Sequence, residues 1–278
     1  MKKMTESIFS KFDMTGKTAI ITGAAGLLGK QFSIALAQAG ANVVVADLAG
    51  ILAAENANEI KEMGLKAMAV EVDITDPDST KAMVDQALTA FGSVDVLVNS
   101  AALDPKFDSA NILSQNVNEF ETYPLNSWKQ ALEVNLTGIF LASQAAVLPM
   151  LEQGRGVVVN ISSMYGLVGP DQRLYERPDG TRQFKPVYYS VTKAGVLGFT
   201  RYLATYYAGK NIRVNALTPG GVFNDHDAIF TAQYSARTVL GRMANLDEMN
   251  AAMLFLCSDA SSYMTGSNLV VDGGWTAW

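Results

Sequence analysis

The stretch Thr18-Ala19-Ile20-Ile21-Thr22-Gly23-Ala24-Ala25-Gly26-Leu27-Leu28-Gly29 decides how this chain folds. A short apolar run suited to a buried strand breaks into a turn with glycine at every third position, and a helix-compatible segment follows as far as Gly40. The next apolar run, Asn42 to Ala46, closes on Asp47. The span from Thr18 to Asp47 is about 30 residues, the length of one strand, its crossover helix and a second strand parallel to the first.

The same alternation continues outward. Strands are expected at Lys66 to Val72, Val94 to Asn99, Gly156 to Ile161, Ile212 to Leu217 and Asn268 to Val271, which with the first two makes seven. Helical patterns fill the gaps at Leu52 to Met63, Asp78 to Phe91, Ser127 to Leu151, Pro186 to Tyr207, Ala228 to Val239 and Asp247 to Leu256. Near-continuous apolar strands alternating with helices predict an α/β fold, a doubly wound seven-stranded parallel sheet covered on both faces, as a single domain over residues 1–278. Two connections are long for this architecture, Ala101 to Asn126 and Met164 to Lys185, and insertions are placed near 103–125 and 170–185. Long loops at the carboxyl ends of parallel strands usually serve a ligand site.

Composition narrows the function classes. A net charge of −6 and a sequence pI near 4.9 argue against nucleic-acid partners, which call for a basic face. Cys257 is the only cysteine, so neither an intrachain disulfide nor a Cys-based metal site is available. His226, flanked by Asp225 and Asp227, is the only histidine, and one imidazole makes no metal site by itself. It reads as structural or solvent-facing, and no metal is expected. Met1 to Thr15 lacks the apolar core of a signal peptide, and no uninterrupted run of 18 apolar residues offers a membrane span. A soluble, cytoplasmic protein is the expectation.

Two features carry chemistry. Glycines 23, 26 and 29 let backbone amides approach a pyrophosphate at the start of the following helix, and Asp47, 18 positions beyond Gly29, stands where a carboxylate accepts ribose hydroxyls and repels a 2′-phosphate. With no Arg or Lys in the glycine turn or just after Asp47, NAD is expected over NADP. The second feature is Val187-Tyr188-Tyr189-Ser190-Val191-Thr192-Lys193, which puts a phenol and an ammonium four positions apart on one helix face. A free Tyr titrates near 10, so proton exchange at neutral pH needs its phenolate stabilised by roughly 4 kcal/mol, which a fixed cation can supply. Tyr206 and Lys210 repeat the spacing, but Gly209 breaks the helix between them. Tyr206 therefore reads as core or interface and Lys210 as a helix-end cation.

Taken in order, Thr22 to Gly29, Asp73, Asn99-Ser100-Ala101-Ala102, Asn135 in Val-Asn-Leu-Thr-Gly, Ser163 in Asn-Ile-Ser-Ser, Tyr189 with Lys193, Asn215 and Pro219-Gly220 resemble the short-chain dehydrogenase/reductase family over nearly the whole chain. The resemblance implies a Rossmann fold. It implies an NAD-dependent oxidoreductase that moves hydride between the nicotinamide and a secondary alcohol or ketone. Ser163 then orients the substrate oxygen, Tyr189 exchanges the proton, Lys193 depresses the Tyr189 pKa and binds the nicotinamide ribose, and Asn135 holds a water linking Lys193 to solvent. Cofactor contacts are implied at Gly23, Gly26, Leu28, Gly29, Asp47, Asp73, Ile74, Asn99, Ala101, Tyr189, Lys193, Pro219 and Val222, while Ser162 reads as a structural hydroxyl. A homotetramer follows from the same resemblance, with the apolar tail around Val270, Val271 and Trp275 in subunit contacts.

The chain departs from the family pattern in four places, one being Asn224, which stands where the family often has a Thr after Pro219-Gly220. The Gly-x-x-Gly-x-x-Gly spacing matches the branch that holds sugar-nucleotide epimerases and dehydratases, so an epimerase or dehydratase using bound NAD is one alternative, and a non-catalytic NAD-binding sensor is another. Ser100 and Ala102 stand where the family has Asn and Gly. Ser163 and Tyr189 lie 26 positions apart, about twice the family's usual separation, because of the insertion Pro170 to Lys185. The chain is similar to bacterial sugar-modification enzymes with a comparable insertion, which makes a polyhydroxylated or sugar-derived substrate the expectation. The insertion itself reads either as a solvated surface hairpin or subunit contact, or as a lid that offers Arg173 or Arg177 to the substrate.

Overall fold

Valine, isoleucine and alanine dominate the strands because both faces of each are covered. In the computed structural model, which describes residues 7–104, 118–176 and 183–278, the seven strands are β1 Thr18–Thr22, β2 Asn42–Asp47, β3 Ala67–Glu71, β4 Val96–Asn99, β5 Gly156–Ile161, β6 Ile212–Pro219 and β7 Asn268–Val271. All pair in parallel, in the order β3-β2-β1-β4-β5-β6-β7. Alternate residues feed opposite cores. Ala19 and Ile21 of β1 face one, with Val43, Val45, Val96 and Val98, while Ile20 faces the other with Val44, Leu97 and Val158.

The first core is closed by α1 Leu27–Gln38, α2 Gly50–Glu62 and α8 Asn250–Cys257, through Phe32, Leu36, Ile60, Met253 and Leu256. The second is closed by α3 Pro77–Phe91, α5 Ile139–Gln153 and α6 Val187–Tyr206, through Met83, Val84, Ala146, Met150 and Leu203. Two further helices, α4 Leu125–Leu132 and α7 Ala228–Ser235, lie outside these two layers. The strand order turns back between β1 and β4, and open sheets of this kind bind ligands at the carboxyl ends beside that point.

Three helices differ from the sequence expectation. The run Ser127 to Leu151 is two helices, α4 and α5, joined by a π-helical turn at Glu133–Gly138. Such a turn re-aims side chains within an otherwise apolar helix, and the re-aimed residue is Asn135. The helix expected to reach Val239 stops at Ser235, because the next residues are drawn to the C-terminal tail: Leu240 N–H donates to Gly273 O at 3.0 Å and Trp278 Nε1 donates to Arg237 O at 3.1 Å. The helix expected from Asp247 begins at Asn250. Leu125–Gln153 holds an 18-residue window apolar enough to cross a membrane by length and composition, with mean hydropathy 1.5, yet half of that window is buried inside the protein. Its α5 part packs Ala142, Ala146 and Met150 into the second core.

Candidate active site

Glycine chemistry sets the first wall. Gly23 has φ +67°, and a Cβ there would lie 2.5 Å from Ala101 Cα, so only glycine lets the β1 and β4 exits touch. A Cβ on Gly29 would overlap the carbonyl oxygen of Gly23. The N-terminus of α1 has no side-chain cap and no acidic residue in its first turn, which leaves its amides available to an anion. Asp47 is fixed in place, its Oδ2 accepting from Ala25 N–H at 2.9 Å and its Oδ1 from Ala49 N–H at 3.0 Å. Lys30, just past the turn, is ion-paired with Glu59. A cradle that a single methyl group would fill, beside an uncapped helix end and an anchored carboxylate, fits a dinucleotide.

The remaining cofactor candidates divide by position. Asp73 follows β3 with its carboxyl held below the ordinary range by hydrogen bonds from Thr75, at 2.7 Å from the hydroxyl and 2.9 Å from the N–H. Asn99 ends β4 and donates to Ser143 Oγ and Asn160 Oδ1, while its own Oδ1 is buried without a partner. Pro219 ends β6, and Ala101 N–H reaches Thr22 Oγ1 at 3.4 Å. Three of the candidates have side chains packed in the core. Ile74 packs on Gly138, Leu28 lies against the first core, and Val222 is buried within it.

The catalytic candidates are brought together at the next strand ends. Ser163 leaves β5 and caps a short 3-10 turn, accepting from Tyr165 N–H at 3.2 Å. Gly166 lies so close to α6 that a Cβ would sit 2.7 Å from the Lys193 carbonyl, and Ser162 Oγ donates to that carbonyl at 2.8 Å. Ser162 is therefore the structural hydroxyl expected of it, and this seam sets Ser163 beside Tyr189. The Ser163 hydroxyl is near enough to the Tyr189 phenol to favour its ionised form. Lys193 Nζ donates to Ile161 O at 2.9 Å and lies 5.8 Å from the centre of the Tyr189 ring.

Electrostatics here differ from the simple expectation for a Tyr and Lys pair. Burial pushes the Tyr189 phenol well above its ordinary value, the charge of Asp104 adds to that, and the Ser163 hydroxyl opposes it. Burial also pulls the Lys193 ammonium down to about 8, opposed by Asp104 and reinforced by Lys185. Desolvation outweighs the mutual support of the pair. Asn135, on the π turn, accepts from Leu103 N–H at 2.7 Å and donates to Leu103 O at 3.1 Å and Thr192 Oγ1 at 3.3 Å. It ties the β4 exit to α6.

Several residues of the site escaped the sequence reading. Lys185 and Asp104 form an ion pair of 2.5 Å beside Tyr189. Tyr165, Tyr175, Tyr234, Trp275 and Phe230 form a third cluster with Met164, Met243 and Tyr189. Trp275 stacks on Tyr234 at 4.4 Å, and the Tyr175 and Tyr165 hydroxyls are 3.3 Å apart. Trp275 thus packs within this chain's own third cluster, beside Tyr189. The expected arginine contacts have other positions. Arg173 is exposed and doubly hydrogen-bonded to Asp171, which Arg237 also engages, while Arg177 lies outside the described residues. His226 accepts from Asn224 N–H at 3.2 Å and stacks on Phe230, a structural placement. Tyr206 is exposed and stacks on Tyr202 at 5.8 Å, apart from the site.

The family model described as enoyl-(acyl carrier protein) reductase matches residues 23–276, nearly the whole chain. A cis-4-hydroxycyclohexanecarboxylate dehydrogenase of Sinomonas cyclohexanicum is 36% identical, covering 94% of this chain and 97% of its own. The chain belongs to the short-chain dehydrogenase/reductase family. Solved members superpose closely. A short-chain type dehydrogenase/reductase from Mycobacterium marinum gives a TM-score of 0.84 at 33% identity, covering 98% of this chain and 100% of that one. A gluconate 5-dehydrogenase from Burkholderia cenocepacia J2315 in complex with NADP and tartrate gives 0.84 at 27% identity, covering 98% and 100%. The protein is accordingly a short-chain oxidoreductase acting on CH–OH groups with a nicotinamide cofactor.

Proposed function

We propose that the protein oxidises a secondary alcohol, or reduces the matching ketone, on a ring-shaped polyhydroxylated or sugar-derived substrate with NAD, Tyr189 serving as acid/base. The observation that carries this reading is the meeting of Ser163, at the exit of β5, with Tyr189 and Lys193 in the first two turns of α6. Bound NAD supplies C4 of its nicotinamide as the hydride acceptor. On the protein side, Ser163 donates to the substrate oxygen, Tyr189 takes the hydroxyl proton at its phenolic oxygen, and the Lys193 ammonium holds the cofactor ribose.

The anchored Asp47 and the Glu59-paired Lys30 support NAD over NADP, since no unengaged cation borders the turn to meet a 2′-phosphate. An aromatic cluster of Tyr165, Tyr234 and Trp275, with Tyr189 packed against it, offers apolar surface that suits a ring. The relative that acts on a hydroxycyclohexanecarboxylate supports a ring alcohol as well. Exposed Phe140 and Leu148 on α5 and Tyr202 and Tyr206 on α6 support the homotetramer.

A panel of cyclohexanols, hydroxycyclohexanecarboxylates, sugars and polyols, run with NAD and with NADP and read as reduced-cofactor absorbance, tests the reading. Faster turnover with NADP would overturn the choice of cofactor. Conversion of a sugar with no net NADH would point to the epimerase that the glycine spacing allows.

A further inference from the structure

The insertion between Ser163 and Tyr189 delivers one side chain with unusual care. The backbone of Lys185 is clamped by a single amide, its N–H donating to Gln172 Oε1 at 2.9 Å and its carbonyl accepting from Gln172 Nε2 at 3.1 Å. Its ammonium is tied to Asp104 Oδ1 at 2.5 Å, and Asn135 holds the neighbouring Leu103. So held, that ammonium lies 4.0 Å from the centre of the Tyr189 ring, nearer than the 5.8 Å of Lys193. The Lys185 side chain is only 8% exposed, whereas the Asp104 carboxylate is 50% exposed. A desolvated cation over an aromatic face stabilises negative charge on that ring, and the half-solvated partner opposes it less.

We propose that Lys185, delivered by the end of the insertion and anchored by Asp104, is a positioning residue whose charge sets how readily the Tyr189 hydroxyl releases its proton. The inference rests on Tyr189 being the acid/base. Among the described residues, the other polar groups facing Tyr189 are Ser163 and Tyr165 from the β5 exit, Tyr175 from the 3-10 turn at Gln172–Tyr175, and Tyr188 and Lys193 from α6. His226, at the start of the α7 segment, senses the same two charges, Lys185 and Asp104. Within this set the signs are fixed. Asp104 opposes ionisation of Tyr189, and Lys185 offsets it from the ring face.

Carbon-13 NMR of the NAD-saturated protein labelled at tyrosine Cζ tests this, with the Tyr189 signal assigned by its loss in Tyr189→Phe. Lys185→Met should raise the Tyr189 titration midpoint by about 1 to 2 pH units, because Asp104 is left uncompensated. Lys185→Arg should hold the midpoint in place, Asp104→Asn should lower it, and the double variant Lys185→Met with Asp104→Asn should return it toward the starting value. An unmoved midpoint in Lys185→Met overturns the proposal. Should that variant fail to fold, an unmoved midpoint in Asp104→Asn overturns it equally. Substantial turnover by Tyr189→Phe would instead sink the acid/base reading itself, so the two failures are told apart.

Discussion

The two halves of the site are built by different means. The cofactor half, from β1 to β3, is made of backbone: glycines that admit no Cβ, uncapped amides, and a carboxylate clamped by two N–H groups. The substrate half is made of side chains from five separated segments, around residues 104, 135, 163 to 193, 230 and 275. Backbone geometry tolerates almost no substitution, and it writes itself into sequence as glycine spacing. Side-chain assemblies can be rearranged, and this one has been, by an insertion that brings Lys185 to the ring of Tyr189.

That contrast can be broken by measurement. Tyr189→Phe should lower kcat by a factor on the order of 1,000 or more while NAD affinity, read by isothermal titration calorimetry, stays near wild type, because the hydroxyl acts only on the proton in transit. A loss of NAD binding would mean that the halves are not separable. On the cofactor side, Gly29→Ala forces a methyl onto the Gly23 carbonyl and should weaken NAD by about 10- to 100-fold, the cost of overpacking a rigid turn. Unchanged affinity would show that the cradle yields. Asp47→Ala should weaken NAD by roughly 10-fold and narrow the gap to NADP, as a diol loses its acceptor and a phosphate its repulsion. The smallest effect is expected from Arg173→Ala, which leaves KM near wild type because Arg173 is engaged by Asp171 rather than by substrate. A rise in KM on steady-state assay would restore the arginine lid that the sequence alone suggests.

Legibility in the sequence follows the same divide. Every strand stands within two residues of where the apolar runs place it, since a strand buried on both faces must be apolar throughout. Asp47, Ser163, Tyr189 and Lys193 were readable because each sits at a strand end or a helical repeat. The π turn at Glu133–Gly138 was not, because its composition continues that of the helices on either side. Nor was the pairing of Lys185 with Asp104, which joins positions 81 apart that no periodicity connects. The insertion drew notice for its charges, yet among its described residues the arginine points to Asp171 and the useful cation is the one at its end.

Trp275 gives the site an order of assembly in time. Asp272 fixes its turn by accepting from Gly274 N–H at 2.9 Å and from Thr276 at its N–H and its hydroxyl, and the indole then stacks on Tyr234 at 4.4 Å. Domains emerge from the ribosome N-terminal end first. The glycine cradle and Asp47 are therefore outside the exit tunnel some 230 residues before the indole that completes the aromatic cluster, as the positions 47 and 275 show. The aromatic cluster beside Tyr189 therefore lacks its indole until Trp275 is synthesised.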